Sequence, residues 1–344
     1  MATRYTIQNT GSAGSIADAT NWNGGVALPE AGDDVQIKHA MTVDGAAYAR
    51  FPAVGAFASL DCSSTGGAAP ALVVTGTVEI AATVVTGVGG LKDSGVAAVL
   101  TVTAPGGATT LANQQYHCYT TTTFTGNITG TAAGTGAVYT EPLSVLTAVT
   151  IIGTSTDDYG VDNNGTIVGN VIGVGGGVRD GVYNNAGCTI TGDVTGTSDS
   201  DSGVYTDGDI VGDVVGVSSS AEGVLCDGAG TITGSVTGVS TTGIGVHNVG
   251  TITGDITGTG NSGAGSLGVY NTGTLVADNI VAQATDAQAF WTGGGTLTEG
   301  AGAAGVNLIV RRLDGGQAVV LDGPTISDEL NITYVSNSTT PLVI

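Results

Sequence analysis

The stretch GTITGSVTGVS, Gly230 to Ser240, is followed by GTITGDITGTG, Gly250 to Gly260, and a close variant, TITGDVTGTS, already stands at Thr189 to Ser198. One phrase written three times with small edits points to a structural repeat. The GV dipeptide gives its phase: Gly160-Val161, Gly181-Val182, Gly203-Val204, Gly223-Val224, Gly245-Val246 and Gly268-Val269, with spacings of 21, 22, 20, 22 and 23 residues. A further turn, Gln288-Ala289-Phe290-Trp291, follows at 20 residues and keeps the phrase GGGTLT after it. Periods of this size mark solenoids or arrays, and no segment carries an i, i+3, i+4, i+7 apolar pattern that glycine does not break.

Each turn holds three short apolar phrases: GVY or GVH, then TIT, then DVTG or DITG. This predicts an all-β chain folded as a right-handed parallel β-helix, with three short strands per coil of about 21 residues. The hand follows from the right-handed crossover tendency of parallel strands. Residues one coil apart then stack about 4.8 Å above one another. One column is Val161, Val182, Val204, Val224, Val246 and Val269; a second is Ile167, Ile190, Ile210, Ile232, Ile252 and Leu275; a third is Val171, Val194, Val214, Val236, Ile256 and Ile280. Nearly all are β-branched, as an interior of aliphatic ladders requires. Gly169, Gly192, Gly212, Gly234 and Gly254 fall between the second and third columns, where a corner is expected. Asn163, Asn184, Thr206, Cys226, Asn248 and Asn271 form a fourth column, read as a structural polar ladder.

Fidelity falls outside residues 160–300. Residues 1–45 read as an N-terminal cap with entry strands, including Trp22. Residues 46–300 read as the parallel β-helix, with Thr123 to Gly130 and Leu146 to Ile152 as weaker echoes of the phrase. Residues 301–344 read as a C-terminal β cap or an oligomerisation or docking segment.

Composition narrows the function. The chain has 60 Gly among 344 residues, 5% aromatics and a net charge of −22, which repels phosphate backbones and anionic membrane surfaces. No nucleic-acid or membrane partner is expected, and the N-terminus lacks the basic and apolar regions of a secretory signal. Cys62, Cys118, Cys188 and Cys226 show no CxxC pair and are expected to be small buried side chains. His39, His117 and His247 are far apart, and no HExxH, GxSxG or phosphate loop occurs. Asp193, Asp213 and Asp255 share one repeat position and Asp207, Asp209 and Asp227 lie near another turn. Their recurrence marks a structural slot explained by Asx turns, not a catalytic pair. No catalytic, cofactor-binding or metal-ligating residues are assigned. Calcium is kept as a secondary expectation, because twelve Asp and two Glu face one basic residue, Arg179, between Gly160 and Gly300. Surface contact is considered for Tyr183, Tyr205 and Tyr270, a column shared with Leu225 and His247, and for the paired Thr231, Thr233, Thr251 and Thr253.

The opening NWNGGVALPEAGDDVQIKHAMTVDG, Asn21 to Gly45, resembles the start of β-helical surface modules in which a Trp, a Pro and a GDDVxI strand precede the first coil. The Gly-, Thr- and Val-rich coils resemble fibre or decoration proteins of tailed bacteriophages. That resemblance implies a non-enzymatic virion structural protein, exposed on the particle as a capsid decoration protein or a short head or tail fibre. Other virion proteins would be its partners, assembly as a homotrimer is plausible, and a host surface glycan is a further candidate. The alternatives are an extracellular adhesin or ice- or glycan-binding β-solenoid, and a polysaccharide-cleaving β-helix enzyme.

Overall fold

A computed structural model describes residues 136–263, 265–285, 288–300 and 305–312 continuously, with shorter segments between 3 and 132 and between 319 and 336. Trp22, His39 and Cys62 lie outside the described residues. Those described are all-β, without a helix, and their parallel sheets form a β-solenoid with coils of about 22 residues. The chain divides into two compact units, Met1–Ser155 with Asp162–Asn170, and Thr156–Val161 with Val171–Ile344.

In the first unit, Thr3–Tyr5 pairs in parallel with Asp34–Gln36, which pairs in turn with Ser59–Asp61. Val99–Thr103 lies between Thr77–Ala81 and Thr121–Phe124. Asn127–Ala132 runs beside Val145–Ser155 with Ile128 opposite Ile151, so the two weaker echoes of the phrase are neighbours. Ile128, Leu146 and Ile151 are fully buried.

The second unit holds the regular coils. Val182–Asn184, Val204–Thr206, Val224–Cys226, Val246–Asn248, Val269–Asn271 and Phe290–Gly293 form one parallel sheet in unshifted register. The TIT strands and the strands that follow them, such as Thr231–Thr233 and Val236–Ser240, belong to a single second sheet. Between them the strand breaks at the recurrent glycine, Gly234 in this coil, where the chain bends. Alternation does the sorting: in Val236–Ser240 every second side chain points inward and is buried. The first-column valines from Val161 to Val269 and the second-column residues Ile190, Ile210, Ile232, Ile252 and Leu275 are at most 1% exposed, as are Val171, Val194, Val214, Val236, Ile256 and Ile280. Ile167, in the first unit, is equally buried. Each such side chain contributes about 1.5–3 kcal/mol of burial free energy.

Parallel pairing continues past residue 300. Val306–Arg312 pairs with Asn279–Ala284 and then with Leu330–Ser336, and Val319–Asp322 extends the other sheet from Phe290–Gly293. The C-terminal segment thus adds coils to the same stack although the phrase itself is gone.

Serine fixes the loop between the end of one strand and the next GV. The Ser218 hydroxyl donates to the Asp201 carbonyl at 2.7 Å and accepts from the N–H of Ala221 at 3.0 Å. Ser198 and Ser240 repeat this on the Arg179 and Ala221 carbonyls. All three are buried, and each ties its own loop to the loop of the preceding coil.

Two kinds of glycine set the cross-section. Gly234 has φ +150°, a conformation L side chains rarely adopt, and a Cβ there would lie 2.2 Å from the Gly212 carbonyl oxygen. Gly238 faces the other sheet, where a Cβ would lie 1.9 Å from the Gly245 carbonyl oxygen. Replacement at either site forces the backbone to move. Gly234→Ala is expected to destabilise the fold by about 3 kcal/mol, from combined backbone strain and overpacking. Urea unfolding followed by circular dichroism, with Gly228→Ala as the control at a site where no atom lies within 4 Å, checks this.

Candidate functional site

The outward residues of the coils form columns as regular as the inward ones. On the GV sheet, Tyr183 stacks between Tyr159, with ring centroids 5.0 Å apart, and Tyr205, at 4.9 Å. Tyr270 stacks on Trp291 at 4.4 Å, and His247 meets Tyr270 edge-on at 4.7 Å. Leu225 separates the two groups in register. Ring faces are covered by neighbouring rings, so the column presents half-buried ring edges to solvent. Tyr159 and Trp291 were missing from the sequence-derived column; their spacing of about one coil from Tyr183 and Tyr270 was the available signal. The Tyr205 hydroxyl donates to Asp227 at 2.7 Å. Burial first, and that bond second, push the Tyr205 hydroxyl well above its ordinary range, while the bond holds the Asp227 carboxyl below its own.

On the wide sheet, Thr231 lies opposite Thr251 and Thr233 opposite Thr253. Thr233 and Thr253 are exposed, and Thr231 and Thr251 half-buried. The Thr rows are broken in adjacent coils by Asp209 and Val211, and the Thr231 hydroxyl donates to the Asp209 carboxylate. Val211 and Val215 are 49% and 39% exposed, so the face mixes methyl and hydroxyl groups.

The recurrent acids serve the stack. The Asp193 carboxylate accepts the N–H of Asp213 at 3.0 Å, Asp213 accepts that of Ser235 at 2.7 Å, and Asp255 accepts that of Asn279 at 3.0 Å. These are bonds to the same slot one coil on, not the Asx turns expected from the sequence. Asp207 similarly accepts the N–H of Ala229 in the following coil at 3.1 Å. Among the described residues no group of three or more His, Cys, Asp or Glu is placed to hold a metal ion.

One acidic column escaped sequence reasoning. The position before the GV glycine is occupied by Asp180, Ser202 and Glu222 in three successive coils, with Gly181 N–H donating to the Ser202 carbonyl and Gly203 N–H to that of Glu222. Asp180 is 4% exposed and accepts the Ser202 N–H at 2.9 Å. Burial, helped by the charges of Asp201 and Glu222, raises its pKa to about 7. Glu222 pairs with His247 at 3.3 Å, and this bond holds its carboxyl below the ordinary range. No residue type repeats in this position, so only the phase of the GV marker could have exposed it.

Inside the coil, the Asn column is a hydrogen-bonded ladder. Asn184 Nδ2 donates to Thr206 Oγ1 at 2.9 Å, Asn248 Nδ2 to Asn271 Oδ1 at 2.8 Å, and Asn271 Nδ2 to Thr292 Oγ1 at 3.3 Å. All of these residues are fully buried. Cys226 interrupts the ladder, because its thiol points to the carbonyls of Gly230 and Thr251 and leaves Asn248 Oδ1 buried without a donor. Burial pushes the Cys226 thiol up to about 12, so it is no nucleophile. Cys118 and Cys188 are likewise buried thiols, as the sequence suggested. Cys226→Asn places an amide over Asn248 in the manner of Asn248 over Asn271, and is expected to stabilise the fold by about 1 kcal/mol. A rise in urea midpoint at unchanged m-value checks it. Comparison with known proteins adds nothing to this geometry: no protein family, no curated protein and no solved structure matches the chain.

Proposed function

We propose that this chain is a non-enzymatic structural protein of a virion surface, a capsid decoration protein or a short fibre of a tailed bacteriophage. The observation that supports it best is the use made of the carboxylates. Asp193, Asp213 and Asp255 each hold the backbone of the next coil, so the acids work as fasteners along the stack. The buried serine and asparagine columns do the same from inside. A chain that commits its polar side chains to coil-to-coil bonding is suited to persistence outside a cell, and its net charge of −22 keeps such particles apart in solution. Other virion proteins would be its partners. Mass spectrometry of purified virions is expected to detect it, at hundreds of copies for a decoration protein or a few for a fibre; absence from the particle overturns the proposal.

A second reading has one observation in its favour, the in-register Thr231, Thr233, Thr251 and Thr253 on the wide sheet. A flat array of hydroxyl and methyl groups suits an ordered surface such as ice or a glycan. Thermal hysteresis of the purified protein separates the two. Under the structural reading the protein shows none, whereas under the binding reading it shows a freezing depression that Thr233→Lys abolishes.

A further inference from the structure

The strands that follow each bend present an outer surface of one chemistry. In Val194–Ser198, Val214–Ser218, Val236–Ser240 and Ile256–Gly260 alternate side chains are buried, and the outward positions between them hold only Thr and Val. Register stacks these in two columns, Val215 opposite Thr237 and Thr257, and Val217 opposite Val239 and Thr259. Val215 and Val217 are 39% and 38% exposed. The columns continue through Val281 and Gln283 in Asn279–Ala284 to Ile309 and Arg311 in Val306–Arg312. The chain has 29 Asp and Glu, yet none stands at an outward position of these six strands, where the one charge is the exposed Arg311. At the opposite end of the face, the exposed Asp199 directly follows Val194–Ser198.

We propose that this face joins two copies of the chain, sheet against sheet, with their solenoid axes antiparallel. Charge selects the occupant. Two copies of net charge −22 repel wherever acids meet acids, and this is a face on which they can meet without any. Charge also selects the orientation. A two-fold axis parallel to the strands sets the last strand of one copy over the first of the other, so each Arg311 lies over Thr197 of the second copy, two residues from its Asp199. With parallel axes each Arg311 would meet its own equivalent. In the antiparallel pair Val281 covers Val215, and the row of Thr257 and Thr259 covers that of Thr237 and Val239. Six strands about 4.8 Å apart and about 18 Å long make a face of about 500 Å², so the pair buries about 1,000 Å², the size at which specific interfaces begin. The proposal does not depend on a virion location, and its columns are distinct from that of Thr231, Thr233, Thr251 and Thr253.

Sedimentation equilibrium of the full chain from about 1 to about 100 µM tests this, the range expected of an interface of that size. The mass is expected to rise from 33.4 kDa towards twice that value. Val215→Lys alters an outward side chain, leaves the interior untouched and buries an unpaired charge at the contact. It is expected to weaken association by about a hundred-fold or more, at an unchanged urea midpoint. Arg311→Glu sets a carboxylate against Asp199 of the second copy and is expected to weaken association by about ten-fold. Adding Asp199→Arg to Arg311→Glu exchanges the two charges and is expected to restore the dimer. A chain that stays monomeric at the highest concentration, leaving the face to a different protein or to none, overturns the proposal, as does an assembly that Val215→Lys fails to weaken. An assembly of three copies, or one indifferent to Arg311→Glu, overturns the antiparallel pair.

Discussion

The two sheets of each regular coil approach so closely at one edge that neither backbone tolerates a side chain there. Gly196, Gly216, Gly238 and Gly258 each present a bare α-carbon to Gly203, Gly223, Gly245 and Gly268, and a Cβ would fall within 2.0 Å of the facing carbonyl oxygen. Much else depends on this contact. Beside it, the first, second and third columns hold only Val, Ile or Leu from Val182 to Leu275. Tyr183, Tyr205 and Tyr270 alternate outward and stack there, while one coil beyond Val269 the first column holds the fully buried Phe290. A chain with 60 glycines and 5% aromatics is what such a section demands.

A parallel stack repeats each slot without shift, so a polar group meets the corresponding group of the next coil. Buried Asn184, Asn248 and Asn271 survive because an amide both donates and accepts, and a column of amides or hydroxyls can pair along its length. Carboxylates in a column repel, and the structure separates the tolerable cases from the costly one. Asp193 and Asp213 are exposed and each faces a backbone N–H. Asp180 is buried, and the burial itself raises its proton affinity.

What could be read from one sequence was whatever repeats by residue type. Val204, Ile232 and Val236 were visible because β-branched residues recur at the coil period, and Gly234 because glycine recurs between them. The Asn column was visible for the same reason despite Cys226. Asp180, Ser202 and Glu222 were not, since three chemistries occupy one slot and only the third dimension unites them. Ser198, Ser218 and Ser240 recur at strand ends, but the carbonyls they bond lie in the loop of the preceding coil. The Asp193 slot was recognised as structural, yet its bonding partner lay a coil away in space and some 20 residues away in sequence, which no local turn rule reaches. The continuation through Val306–Arg312 was hidden by the loss of the phrase, although its alternation of inward and outward residues persists.

The interrupted coil bearing Leu225 and Cys226 has a consequence for how such chains change length. Each coil offers the one above it the same kinds of surface that it accepts from the one below. Were residues 223 to 244 excised, Val204 would meet Val246, Thr206 would meet Asn248, and Tyr205 would meet His247, each a pairing already used elsewhere in the stack. Loss or gain of one whole coil therefore leaves these columns paired.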